Sequence, residues 1–150
     1  MKLIGLLATG ALFLPSIASA VCAIEPLAPQ VRSAQVVYVG TVTASVLAEP
    51  LGKANADTGQ GVKVVHTLIP QIVFKGDPAQ VSSIVSTWEY NDPRSKYRVE
   101  LSELHPIVPG DTLLVVGNVG ESVRVDTCSP SRPWSPETAQ VVRAAFPSAP

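Results

Sequence analysis

Charge and aromatic rings are both scarce in this chain, and cysteine and histidine are scarcer still. Charged residues make up 15% of the 150 and aromatic residues 5%, with twelve acids against eleven bases. Such a chain has no basic excess to neutralise phosphates, so a nucleic-acid partner is not expected. No C-x-x-C pair, no G-x-S-x-G elbow and no glycine-rich phosphate loop occurs. Their absence removes the usual signatures of thiol redox, zinc, acyl-transfer and nucleotide chemistry. Two histidines, His66 and His105, and two cysteines are too few and too scattered for a metal centre, and no cofactor is expected.

What the chain does have is a leader. Residues 1–20 read MKLIGLLATGALFLPSIASA: a positive Lys2, an apolar run from Leu3 to Leu14, a break at Pro15, and Ala18-Ser19-Ala20 as an A-x-A cleavage site. This order is that of a secretory signal peptide. The run is shorter than the roughly 20 apolar residues of a membrane span, so no span is expected after cleavage. Val21, rather than a small residue, precedes Cys22, which argues against lipid attachment. The expected location is periplasmic or secreted. Lys2 leaves with the leader, so eleven bases against twelve acids become ten against twelve, a net charge of −2.

Residues 21–150 suit one domain with a real core. Fourteen prolines divide it into short elements rather than long helices. Cys22 and Cys128 stand near its two ends, and in an exported chain two cysteines most simply pair. Closing a loop of about a hundred residues is worth roughly 4–5 kcal/mol in the chain-entropy model.

Periodicity places a helical turn over 28–34 and a strand over 36–47. In that strand Val36, Tyr38, Gly40, Val42, Ala44 and Val46 share one face and Thr41, Thr43 and Ser45 the other. Gly40 predicts a bulge or sharp coil. A polar, glycine-bearing loop fills 49–61. A long strand follows over 62–74, with Val62, Val64, Leu68, Ile72 and Phe74 on one face, Lys63, Thr67, Gln71 and Lys75 on the other, and Pro70 as a bend or an edge. KGDP (75–78) is a turn. Strands are predicted at 81–88, 111–116 and 123–127, with a short extended piece at 97–101. Ser135 caps a terminal helix that begins at Pro136, carries Glu137 in its first turn and stops at Pro147. Trp134 and Ala139 are placed for a hydrophobic staple. The expected fold is mainly β: a small five-stranded OB-type barrel with a C-terminal helix, with a β-sandwich as the alternative.

Six runs in order carry a resemblance: a cysteine near the mature N-terminus, SAQVVYVGTVT (33–43), HTLIPQIVFKGD (66–77), VSSIVSTW (81–88), PGDTLLVVG (109–117) and VDTCSPSR (125–132). Together they resemble the netrin-like module, the TIMP-like OB-fold of the tissue inhibitors of metalloproteinases and their bacterial relatives. The resemblance covers about residues 22–146. It implies a five-stranded barrel flanked by helices, with the N-terminal segment pinned by cysteine. In those inhibitors the amino group and carbonyl of an N-terminal cysteine chelate the target's zinc, a role that would fall on Cys22. Here Val21 precedes Cys22, so its amine is locked in a peptide bond, and the chain has two cysteines where animal relatives have several disulfides. The resemblance therefore implies the fold and not the inhibition.

No catalytic constellation emerges, and the chain is read as not an enzyme. His66 is expected as a hydrogen-bonded core or rim residue and His105 as a solvated loop residue. Glu100 and Glu103 read as exposed charges rather than an acid–base pair. Trp88, Tyr90 and Tyr97 are the candidate binding surface, an aromatic patch on a barrel face. The expected function is an exported, non-enzymatic binding module. Its partner is a protein rather than a small ligand, because barrels of this size fill their interiors with side chains. The alternatives are a metalloprotease inhibitor acting through an N-terminal cysteine and an envelope enzyme with an unrecognised site.

Overall fold

Gly40 and Pro70 interrupt two otherwise apolar strands, and the architecture turns on what happens there. In a computed structural model of the chain, residues 25–49, 61–88, 106–126 and 128–147 are described. The elements are α1 (Leu27–Ser33), β1 (Val36–Leu47), β2 (Val62–Lys75), a 3₁₀ turn (Pro78–Gln80), β3 (Ser83–Trp88), β4 (Thr112–Gly117), β5 (Ser122–Arg124), β6 (Arg132–Pro133) and α2 (Pro136–Ala145). One sheet runs in the order β5-β3-β2-β1-β4-β6. All neighbours are antiparallel except β3 and β5, which are parallel.

This order forces the sheet to curl. In a flat sheet β4 and β5 would stand four strand spacings apart, roughly 19 Å. They are consecutive in the chain and joined by a tight turn in which the Glu121 amide donates to the Asn118 carbonyl at 3.2 Å. The sheet must therefore roll until its two ends meet. The result is the strand order of an OB-type barrel, curled as a half-barrel, with a C-terminal helix. A single rolled sheet replaces the two facing sheets that a sandwich would need.

Bulges distribute the side chains. The β1–β2 pairing skips Thr43 on β1, and Gln71 and Phe74 on β2. Each unpaired residue reverses the in–out alternation beyond it. The sequence expectations change at these points. Ser45 turns inward beside His66 instead of sharing an outer face with Thr41. Ile72 and Phe74 leave the face of Val62, Val64 and Leu68 and join the opposite side. At Gly40 a Cβ would lie 3.1 Å from the Ile69 carbonyl oxygen, a steric reason for glycine, while the register shift beside it leaves its unpaired residue on β2, at Gln71.

Two apolar clusters result. Val36, Tyr38, Val42, Ile84, Ile107, Leu113, Val115, Val123 and Val125 fill the barrel, with Leu68 and Val81 packed against them. Val37, Val39, Leu114 and Val116 face outward and are covered by Val31 and Ala34 near α1 and Val142 of α2, with Ile72, Phe74, Trp134 and Phe146 around them. The first half of β1 is thus buried on both faces, not half-buried as its alternation suggested. Trp134 packs against Phe74, ring centroids 6.2 Å apart. The Ser135 side chain caps α2 by accepting from the Thr138 amide at 3.2 Å, as its position predicted.

The boundaries differ from expectation at three places. β3 begins at Ser83, because Asp77 caps the intervening 3₁₀ turn by accepting from the Ala79 amide. The last barrel strand is Ser122–Arg124, followed by a single bridge from Val125 to Ser131. The two-residue β6 is additional. The extended piece expected at 97–101 lies outside the described residues.

The seam between β4 and β5 is closed by a side chain. Ser131 is fully buried. Its hydroxyl accepts from the Val116 amide at 2.8 Å and donates to the Val116 carbonyl at 3.1 Å. One hydroxyl thus satisfies both edge groups that a missing neighbour strand would have paired.

Candidate functional site

Two features of the barrel are available for function, one inside and one outside. Inside, the bulge at Thr43 sets Ser45 directly opposite His66, and His66 in turn faces Ile84 of β3. His66 is 4% exposed. Its Nδ1 lies 2.8 Å from Ser45 Oγ and its Nε2 2.7 Å from Ser86 Oγ. Ser45 Oγ also donates to the Ile107 carbonyl at 3.3 Å. That spends its only proton, so Nδ1–H donates to Ser45 and Nε2 accepts from Ser86. Burial pushes the His66 pKa below its ordinary value, and the Asp111 carboxylate offsets this in part. The ring is therefore neutral and satisfied on both nitrogens, and it ties β1, β2 and β3 together. Ser86 and His66 have the atoms of a hydroxyl–base pair, but Ser86 is buried and its hydroxyl is turned into the barrel. Cross-strand bonding is the chemistry this arrangement supports. His66 is the hydrogen-bonded core residue expected from its position.

Outside, the helices cover only part of the sheet. α1 and α2 pack over Val37, Val39, Leu114 and Val116; among the described residues no helix covers the far half of the outer surface, where Val85 is nonetheless buried. On it, Val46 pairs with Val65, Ala44 with Thr67, and Thr41 with Ile69. Val65 pairs with Val85 and Lys63 with Thr87, and Val85 pairs with Arg124. Val46 is 59% exposed and Ile69 55%. Beside this apolar strip runs a groove of about 350 Å³ lined by Gly61, Lys63, Val85, Ser86, Thr87, Ser122 and Arg124. A larger cleft, about 580 Å³, opens at the seam near α1 with Glu25, Gln30, Asn118 and Glu121 in its wall. Its polar groups are partly spent on one another, since Asn118 Nδ2 donates to Glu121 Oε2 at 3.0 Å.

Trp88 stands opposite Val62, on the inward side at the end of the barrel. It is half-buried, and its indole N–H is buried without a hydrogen-bond partner among the described residues. Tyr90 and Tyr97 lie outside the described residues, as do His105, Glu100, Glu103 and Cys22. Cys128 lies in an exposed turn where its amide donates to Asp126 Oδ1 at 2.9 Å. The outer strip was partly legible. Lys63 and Thr67 were expected to face outward, and Val65 and Ile69 fall on the same parity, two large aliphatics on a face that should be polar. Ser45 and Arg124 were missed, the first because a bulge sets its direction, the second because parallel pairing with β3 leaves no local signal.

Among the described residues no group of three or more His, Cys, Asp or Glu side chains could hold a metal. No helix among them is long and apolar enough to cross a membrane. No protein-family model matches the chain, and no curated protein matches its sequence.

Proposed function

We propose that this chain is an exported, non-enzymatic binding module that engages a protein partner through the open outer face of β1, β2 and β3. The observation that carries this reading is the uncovered apolar strip. Val46 and Ile69 are more than half exposed on a sheet whose other half is roofed by two helices, and Val46 with its partner Val65 and Ile69 line one outer face of the kind that contiguous apolar interaction surfaces use. The adjoining groove supports it, because open clefts beside apolar strips position a partner's side chains. The netrin-like, TIMP-like identity belongs to the same proposal. It is supported by the strand order, the parallel β3–β5 pair and the Lys75–Pro78 turn with Gly76 at φ 69°. Pairing of Cys22 with Cys128 belongs to it too, supported by the chain's two cysteines and by the absence of a free cysteine among the described residues.

The test uses the mature chain immobilised as bait in envelope extract or culture medium. Val46→Asp and Ile69→Asp should fold, since both sites are solvent-facing, and should lose a partner that the wild type retains in near-stoichiometric amount. Gln140→Asp, on the exposed side of α2, should retain it. Equal retention by all three variants would remove the reading. N-terminal sequencing of the exported protein separates it from protease inhibition: a start at Val21 leaves no free Cys22 amine to chelate zinc.

A further inference from the structure

We propose that the groove between Lys63 and Arg124 takes the carboxylate of an acidic side chain carried on an extended segment of the partner. This rests on the reading of the open face given above and names the chemistry that face selects. Lys63 on β2 and Arg124 on β5 flank β3 from its two sides, Lys63 opposite Thr87 and Arg124 opposite Val85. Two strand spacings across the sheet and two residues along it separate their backbones, roughly 12 Å, a span that two such long side chains can reach into from both sides of Val85. Hydroxyls of Thr87 and Ser122 stand in the same wall, and Ser122 Oγ is 2.7 Å from Ser83 Oγ.

Among the described residues that line the groove there is no carboxylate. Among the described residues, Arg124 has one acidic neighbour, Asp126, at 3.7 Å, with the arginine side chain 71% exposed. An exposed pair of that length is worth little and exchanges readily for a better acceptor. The chain as a whole is slightly acidic, −1, so two cations in one groove with no lining acid among the described residues run against the global sign. That local contrast sets orientation and specificity at a binding surface. The strip of Val46, Val65 and Ile69 continues from the groove, so the complementary ligand is a chain that lays aliphatic surface on the strip and an acid in the groove. Phosphate sites instead gather backbone amides at a helix N-terminus or in a nest. The described wall here is β-strand, whose amides serve the ladder.

The experiment titrates the isotope-labelled mature chain with an acetylated, amidated Glu-Val-Glu-Val peptide and follows backbone amide shifts. Its arms are the Gln-Val-Gln-Val peptide and inorganic phosphate. Saturable shifts at Lys63, Thr87, Ser122 and Arg124 are expected with the glutamate peptide and absent with the glutamine peptide. Added salt should weaken them, and Lys63→Gln and Arg124→Gln should each weaken binding about two- to five-fold, the worth of an exposed ion pair. Unchanged melting midpoints show that these variants remain folded. Equal binding of the glutamine peptide, tighter binding of phosphate, shifts confined to other surfaces, or indifference to both substitutions overturns the proposal. If Val46→Asp abolishes partner retention while both cation variants keep it and bind the peptide like wild type, the open-face reading stands and the carboxylate groove falls. If the peptide result holds while Val46→Asp and Ile69→Asp leave retention intact, the groove stands and the assignment of the partner to the apolar strip falls.

Discussion

At the scale of single residues, His66 concentrates the most physics. It is the described residue whose ordinary pKa, about 6.5, falls where pH is easily varied, and it sits nearly sealed between two serine hydroxyls. Burial lowers its pKa in the folded state, so in the window below about 6.5 the unfolded chain binds the proton more readily than the folded one. Stability from this residue is therefore present above that value and is lost as pH falls toward the depressed folded pKa. The stability advantage of wild type over His66→Gln, read by denaturant unfolding, should shrink between about pH 7.5 and about pH 5. A constant difference would show that the imidazole is not held neutral. Tyr38 has the opposite sign: burial pushes its phenol up to about 12, so it stays neutral in the core.

At the scale of elements, the informative places are those where pairing fails. The Thr43 bulge places Ser45 at His66. Gln71, beside Pro70, helps send Ile72 outward to the helices. Pro70 and the bulges also interrupt the stretch of β2 that β3 does not pair, the usual protection of a sheet edge. Ser131 does the reverse by supplying pairing where no strand exists. Ser131→Ala would leave the buried Val116 amide and carbonyl without their partner. At roughly 1–3 kcal/mol per orphaned group, the expected loss is about 2–4 kcal/mol in unfolding free energy. A loss below about 1 kcal/mol would mean that the seam does not depend on this hydroxyl. Nothing in the run CSPSR announces this role, because the hydroxyl's two partners belong to a strand fifteen residues earlier.

At the scale of the whole molecule, the chain rolls one sheet until its ends meet and roofs half of the outside with helices, while on the other half Val46 and Ile69 stay exposed. The turn that holds Cys128 immediately precedes the closing segment. Ser129 Oγ accepts from the Ser131 amide at 2.9 Å, and Arg132 Nη2 donates to the Ser129 carbonyl at 3.0 Å. A clasp from Cys22 to Cys128 would restrain the lead-in and the seam together. Cys128→Ser should lower the melting temperature in oxidising buffer and leave it unchanged under reduction, with an upper bound of roughly 4–5 kcal/mol from loop closure. Identical melting in oxidising buffer would refute the clasp.

Local chemistry was sufficient for much of this. Alternation in 36–47 and 62–74 announced two long strands, Gly40 and Pro70 announced their irregularities, and Ser135-Pro136-Glu137 announced the start of α2. These signals are short-range: a dihedral preference, a missing amide, a cap three residues away. Tertiary structure alone decided which face of each strand points inward beyond a bulge, that the start of β1 is buried twice, and that one serine closes the barrel. It also decided that Lys63 and Arg124, sixty-one positions apart in sequence, share a groove. The physical reason is that an unpaired residue reverses every later side chain without altering composition, and a parallel pairing joins segments whose relation no local pattern records.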